Sequence, residues 1–473
     1  MPAQDLLAAP VTWLAQAVAQ RGGGLATTAV FLLAFALAVA AIRPLVALIE
    51  RLGRAGLAAA ALVAVGLAVW LVQHPSREPL DLMSRFDHLV FAVTAGQVLV
   101  RLPTPWRVAG LAAVSLVVLL AHLGPLPMAV AFGTSLVGFL LLRVGLGWSD
   151  VVTTLVQGGV LLAGYATCFV IRSDNVLAGL SAQGPLAFVA LRHISLVVET
   201  RRGRPASLAD WACYQGFYTN SLGAVEVYDE FHGRNLAGPV QADLGGAQRR
   251  LAWGIVGVAA AMHLPVVPAT GSATTETLAL WGWCGLAYLR SALYLMSIWM
   301  MAEGAALLYG VTLRPNWPRT LLAENPAQLW RAWRATMTNW LIRYVYIPLG
   351  GRERRSVAVA GAFGVSVLWH WAGIPFLSGK PALIHFLPVL CWGVLNAAAV
   401  IGWGEWRRRV GPPSPSPVRR AMRIAGTFVL GTFTVTLLGF APNDTGHFAA
   451  FLRRLTGLPP LREIAAALAG LVD

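Results

Sequence analysis

Apolar residues along this chain fall in long blocks, each mostly uncharged and separated from the next by short clusters of Arg, Pro and Gly. Such blocks predict helices that each cross a hydrocarbon slab about 30 Å thick. The clearest runs are Thr27 to Ile49, Leu57 to Val72, Val108 to Leu123, Met128 to Leu146 and Val151 to Ile171 in the first part of the chain. Leu251 to Val267, Thr277 to Leu308, Val357 to Trp371, Leu383 to Ile401 and Ile424 to Leu438 continue the pattern. With shorter candidates near Leu89 to Leu99, Pro185 to Val198 and Leu461 to Leu471, the expectation is an all-α, polytopic integral membrane protein with roughly eleven transmembrane helices. Several runs are short for a full bilayer and predict tilt or local thinning.

Two regions break the pattern. Phe188 to Arg234 and Asn325 to Arg355 mix aromatics with arginines, amides and threonines too densely for a lipid-facing helix. Polar residues at membrane depth are tolerated where they face protein or a water-filled cavity, so both segments predict tilted or re-entrant helices around a central passage. The stretch Gly411 to Pro417 reads as a flexible loop bounded by arginines.

Composition supports the same picture. Of 473 residues, 57% are hydrophobic and 12% charged, about half the charge of an average soluble domain, so the apolar residues need lipid as well as a core. A balance of 36 Lys+Arg against 21 Asp+Glu, net +15, raises nucleic acid as a partner. The basic residues, however, cluster at the ends of apolar runs (Arg201, Arg202 and Arg204; Arg352, Arg354 and Arg355; Arg407 to Arg409; Arg419, Arg420 and Arg423), as loops kept on the cytoplasmic side do. Membrane topology explains them and no nucleic acid is expected. The four cysteines are scattered and read as small buried hydrophobes, and the histidines show no spacing for a metal site, so none is expected. Met1 to Gln20 carries Asp5 and no basic leader before an apolar core, and is not read as a cleaved signal peptide.

Chemistry concentrates between residues 330 and 371. Trp330-Arg331-Ala332-Trp333 is followed by Asn339-Trp340-Leu341-Ile342-Arg343-Tyr344-Val345-Tyr346-Ile347-Pro348-Leu349-Gly350-Gly351 and then by Leu368-Trp369-His370-Trp371. In this order the motifs resemble the core of the membrane-bound O-acyltransferases. Leu191-Arg192-His193-Ile194-Ser195 looks like that family's Phe-Arg-Gln-Ile-Ser-type helix, and Gly439-Phe440-Ala441-Pro442 with Phe451-Leu452-Arg453-Arg454 looks like its C-terminal segment. The likeness covers residues 185–460; the first 180 match in hydropathy only.

The resemblance implies a catalytic histidine at His370. Its logic is chemical: a hydroxyl attacks poorly until a base removes its proton, and imidazole has its ordinary pKa near the operating pH. A histidine between Trp369 and Trp371 that merely bonds a neighbouring helix is the alternative. Arg334 stands where many members carry His or Asn. Being permanently protonated, it cannot serve as a base, but it can hold an anionic carrier phosphate or steady an oxyanion; otherwise it marks a helix end or pairs with a carboxylate such as Glu324. Thr338 shares a face with Arg334 in a regular helix, and Asn339 joins it only if the helix is broken. Trp333, Trp340, Tyr344, Trp369 and Trp371 are candidates for lining a substrate passage, or are interfacial anchors. Glu226, Asp229 and Glu230 read as a solvated acidic loop, although the resemblance puts them near a cavity rim.

Three segments are expected: transmembrane helices over 1–180, a core resembling the family's catalytic part over 181–460, and a terminal segment over 461–473. The resemblance implies transfer of an acyl group, acetyl foremost, from acyl-coenzyme A or an acyl-carrier thioester to a hydroxyl, with no bound cofactor. The acceptor is expected to be an exported polysaccharide or cell-wall polymer ahead of a lipid or protein. The bilayer of a bacterial inner membrane is the expected setting, with a second extracytoplasmic transferase as a further partner. A scaffold or transporter that keeps the fold without the chemistry is the rival reading, with Arg334 as its support.

Overall fold

The computed structural model describes residues 25–75, 86–174, 176–218, 224–264, 277–378, 386–413 and 415–439. Every regular element among them is helical. Each apolar run that lies within these residues forms helix, because with no water available the backbone must satisfy its own N–H and C=O groups. The helices are α1 (Leu25–Ala40), α2 (Ile42–Arg51), α3 (Gly53–Gln73), α4 (Phe86–Leu99), α5 (Thr104–Leu123), α6 (Pro125–Val144), α7 (Asp150–Asp174), α8 (Val176–Arg201), α9 (Leu208–Gly216), α10 (Tyr228–Asn235), α11 (Leu244–His263) and α12 (Thr277–Leu308). They continue with α13 (Pro326–Ala332), α14 (Ala335–Leu341), α15 (Arg355–Ser378), α16 (Phe386–Val410) and α17 (Pro417–Gly439).

Among the described residues, seven stretches are long and apolar enough to cross a membrane: Thr28–Arg51, Gly53–Gln73, Thr104–Leu123, Pro125–Val144, Asp150–Cys168, Cys284–Leu308 and Phe386–Val410. The other expected runs are helical too but shorter or more polar; the candidate near 461–471 and the C-terminal motifs from 440 onward lie outside the described residues. Thr27 to Ile49, read as one run, is jointed at Ala41. Pro44 supplies the reason, since its ring nitrogen has no hydrogen to donate to the preceding turn. Leu62, Val65, Val144 and Leu155 are largely exposed, as lipid-facing side chains are. The protein is a polytopic membrane protein, all-helical over the described residues.

By packing, the residues divide into two units that interleave along the chain: Met1–Met262 with Leu293–Pro318 and Trp333–Trp340, and His263–Ala292 with Arg319–Ala332 and Leu341–Asp473. In the first unit, α8 packs on α6 and α7, α3 on α4 and α5, and α9 on α5. Its core includes Leu71, Leu111, Tyr214, Phe217, Phe231 and Leu251. The glycine at Gly254 lets α11 approach α12 closely, because a Cβ there would collide with the Met301 side chain and the Ser297 carbonyl. In the second unit, α15 packs on α16, and α16 on α17 and α13, around Cys284, Val367, Val389 and Trp392.

Candidate active site

The residues singled out in the sequence fall in two groups. Trp333, Arg334, Thr338, Asn339 and Trp340 belong to the first unit; Tyr344, Trp369, His370 and Trp371 belong to the second.

In the first group the helix is broken. Arg334 adopts φ 49°, the left-handed conformation that L-residues avoid at a cost of about 1–2 kcal/mol. Helix α14 therefore starts afresh at Ala335, and its first N–H groups need partners. Asn316 supplies them: its carbonyl accepts from the Ala335 N–H at 2.7 Å, and its Oδ1 accepts from the Thr336 N–H at 3.0 Å and the Thr336 hydroxyl at 2.8 Å. The break sends Asn339 to Glu230, whose Oε1 accepts from Nδ2 at 3.2 Å. Thr338 donates its N–H to the Arg334 carbonyl at 3.0 Å. Trp340 is buried and donates to the Leu191 carbonyl at 3.0 Å, and Trp333 meets Trp317 edge-on at 4.7 Å. The Arg334 guanidinium lies 5.4 Å from the centre of the Phe188 ring. Desolvation pushes it down to about 10, still cationic at neutral pH. Glu324, the carboxylate considered for Arg334, is instead held by Arg420 at 2.9 Å and Arg423 at 2.7 Å.

The acidic loop departs from expectation. Glu226 is 2% exposed, in ion contact with Arg234, and accepts the Arg314 N–H at 2.6 Å. Burial pushes its carboxyl up, with Arg234 and Arg314 opposing. Glu230 pairs with Arg314 at 3.0 Å, and Asp229 with Arg204. Glu226, Glu230, Arg234, Arg314 and Asn339 thus form a partly buried charged network that the sequence reading missed. The available signal was that Glu226 sits among Ala224, Val225 and Val227, an apolar context for a carboxylate.

The motif at 191–195 is structural. Arg192 is buried and donates to the carbonyls of Gln215 and Ala224, and the Ser195 hydroxyl accepts the Tyr228 N–H at 2.9 Å. His193 lies between the Ser135 hydroxyl at 3.1 Å and Gln157 Oε1 at 2.8 Å. A buried polar group is stable only when partnered in this way.

In the second unit, the chain leaves α14 through a widened turn, Ile342–Tyr346, that contains the half-buried Tyr344. Gly350 and Gly351 then stop it at φ 99° and 53°. His370, on α15, is half-buried, with Nδ1 2.7 Å from the Ser366 carbonyl oxygen. A carbonyl only accepts, so the ring proton resides on Nδ1, and in the neutral ring the lone pair sits on Nε2. Trp369 and Trp392 each approach the imidazole at 4.9 Å. Trp392 is braced by Trp330 at 5.4 Å, and Trp330 donates to Asn396 at 2.9 Å. Trp371 packs on Phe386 at 5.4 Å. The ring is thus held in one orientation with its basic nitrogen specified. Among the described residues no group of three His, Cys, Asp or Glu side chains is arranged to hold a metal ion.

Parts of this chain are similar to known proteins. The model of the membrane-bound O-acyltransferase family matches residues 251–379, which include Arg334 and His370. A probable alginate O-acetylase of Pseudomonas syringae pv. tomato is 26% identical over 260 residues, 47% of this chain and 48% of that protein. A peptidoglycan O-acetyltransferase of Helicobacter pylori is 30% identical over 104 residues, 21% and 17% of the two chains. A membrane-bound O-acyltransferase of Saccharomyces cerevisiae is 35% identical over 97 residues, 20% and 17%. The matched region spans about half the length of the first of these relatives and less of the other two.

Proposed function

We propose that this protein acts as a membrane-bound O-acyltransferase, the family whose model matches residues 251–379, and that it transfers an acyl group, acetyl foremost, from a thioester donor to a hydroxyl of an exported polysaccharide or cell-wall polymer. The observation that carries the reading is the bond between His370 Nδ1 and the Ser366 carbonyl, which leaves Nε2 as the basic nitrogen. In this reading the acceptor hydroxyl gives its proton to Nε2 as its oxygen bonds to the thioester carbonyl carbon. The tetrahedral intermediate collapses with cleavage of the C–S bond, and the departing thiolate takes the proton back from the imidazolium. The products are an ester and a free thiol, and the imidazole is neutral again. By its place in the sequence motif, the cationic Arg334 is proposed to hold the donor's phosphate. The donor is acyl-coenzyme A or an acylated carrier, the setting is a bacterial inner membrane, and a second transferase completes delivery outside it.

Purified protein in liposomes, given acetyl-coenzyme A and a panel of polysaccharide, sugar and lipid acceptors, tests this. Replacing His370 by Ala removes a general base, worth a factor of about 100 to 10,000 in rate, and should leave the protein monodisperse. Equal turnover by the variant would take the base role from His370. No turnover by folded protein with any donor would sink acyl transfer and favour the scaffold reading.

A further inference from the structure

The second unit contains a cavity of about 400 Å³ that the acyl-transfer reading does not use. It is bounded by α13, the first residue of α15 and the end of α16, and four arginines line it: Arg331, Arg355, Arg407 and Arg408. Two are fixed without being neutralised, since Arg331 donates to the Ala327 carbonyl at 3.1 Å and Arg355 to the Val400 carbonyl at 3.2 Å. Among the described residues, Arg408 alone of the four has a carboxylate partner, Glu405. The lining therefore carries a surplus of about three positive charges, and guanidinium forks match phosphate oxygens bidentately. Gly404 is part of the construction. A Cβ there would overlap the Arg355 guanidinium, so the absence of a side chain is what lets Arg355 lie against α16.

Position in the bilayer distinguishes the occupant. The apolar part of α16 ends near Ile401 and is followed by Trp403 and Trp406, whose rings lie 4.8 Å apart, and then by Arg407 to Arg409. Aromatic rings followed by cations mark the headgroup level of a membrane. Trp403 lines the cavity, and its volume greatly exceeds that of a lone phosphate ion. We propose that this cavity binds the phosphodiester headgroup of an anionic phospholipid. Basic pockets between membrane helices take such headgroups for the same electrostatic reason. The inference stands independently of acyl transfer.

The test uses the full chain, stripped of lipid in detergent, with phosphatidylglycerol or phosphatidylcholine titrated in and bound lipid counted by native mass spectrometry. Wild type should bind one phosphatidylglycerol saturably and at least about tenfold more tightly than phosphatidylcholine. The Arg331→Gln/Arg407→Gln double variant should lose most of that preference. Gly404→Ala should weaken binding without changing charge, by displacing Arg355. Equal binding of the two lipids by wild type would overturn the proposal, as would undiminished phosphatidylglycerol binding by the double variant. Displacement of the bound lipid by coenzyme A would also overturn it, assigning the cavity to a soluble phosphorylated donor. If the variants fail to fold, the wild-type lipid comparison decides alone.

Discussion

Arg334 combines a charge with a backbone conformation, and substitution can separate them. Its φ of 49° costs a non-glycine residue about 1–2 kcal/mol, which glycine escapes, while its position over Phe188 contributes about 0.5–1 kcal/mol. Arg334→Ala loses the ring contact and keeps the strain, so it should be destabilised by about 0.5–1 kcal/mol. Arg334→Gly loses the same contact but sheds the strain, less the entropy of a freer unfolded chain, and should be more stable than the Ala variant by about 1 kcal/mol. Thermal unfolding of the three proteins in one detergent at one scan rate gives the ranking. An Ala variant as stable as the Gly variant, or more so, would refute the left-handed assignment and with it the account of why α14 restarts at Ala335. The same series informs function. Arg334→His should reduce transfer if the cation serves the reaction, whereas activity that persists or rises assigns Arg334 to structure alone.

Asn316→Ala keeps the backbone bond to Ala335 but removes the side-chain part of the cap on α14 and leaves the buried Thr336 N–H without its acceptor, so it should cost about 1–3 kcal/mol, read as a lowered unfolding temperature. Asn316→Asp, which keeps the acceptor, should recover most of the loss. For Glu324, the hydrogen bond from Arg423, joined by Arg420, holds the carboxyl below its ordinary value. A carboxylate whose folded pKa is lowered contributes stability that is complete above the unfolded pKa of about 4.3 and is lost as pH falls through the folded value. The stability gap between wild type and Glu324→Gln should therefore be widest near neutrality and close below about pH 4, and a gap unchanged across that range would remove the ion pairs from the account.

Much of the fold was legible because hydropathy is local. A run such as Leu57 to Val72 must form helix in lipid whatever surrounds it, and it lies within α3. The joint at Ala41 had a visible cause in Pro44. The break at Arg334 had none, since arginine is a good helix former and its neighbours Ala332 and Ala335 are too. Glu226 was misread as solvated because its neighbours Asp229 and Glu230 make the stretch look like a surface loop, while its actual partners, Arg234 and the Arg314 N–H, lie 8 and 88 residues away.

The sequence by itself determined which apolar runs become helix, that His370 lies on a helix, and the order of motifs that makes the chain similar to the membrane-bound O-acyltransferases. The His370–Ser366 bond spans one helical turn and needs little more than that helix. Tertiary structure alone decided that Trp392 braces the imidazole, that Asn339 meets Glu230 across 109 residues, and that Asn316 caps α14. The reason is physical: burial in lipid acts on each segment separately, whereas the partner of a polar side chain is whichever group packing brings within about 3 Å, and hydropathy carries no record of that choice.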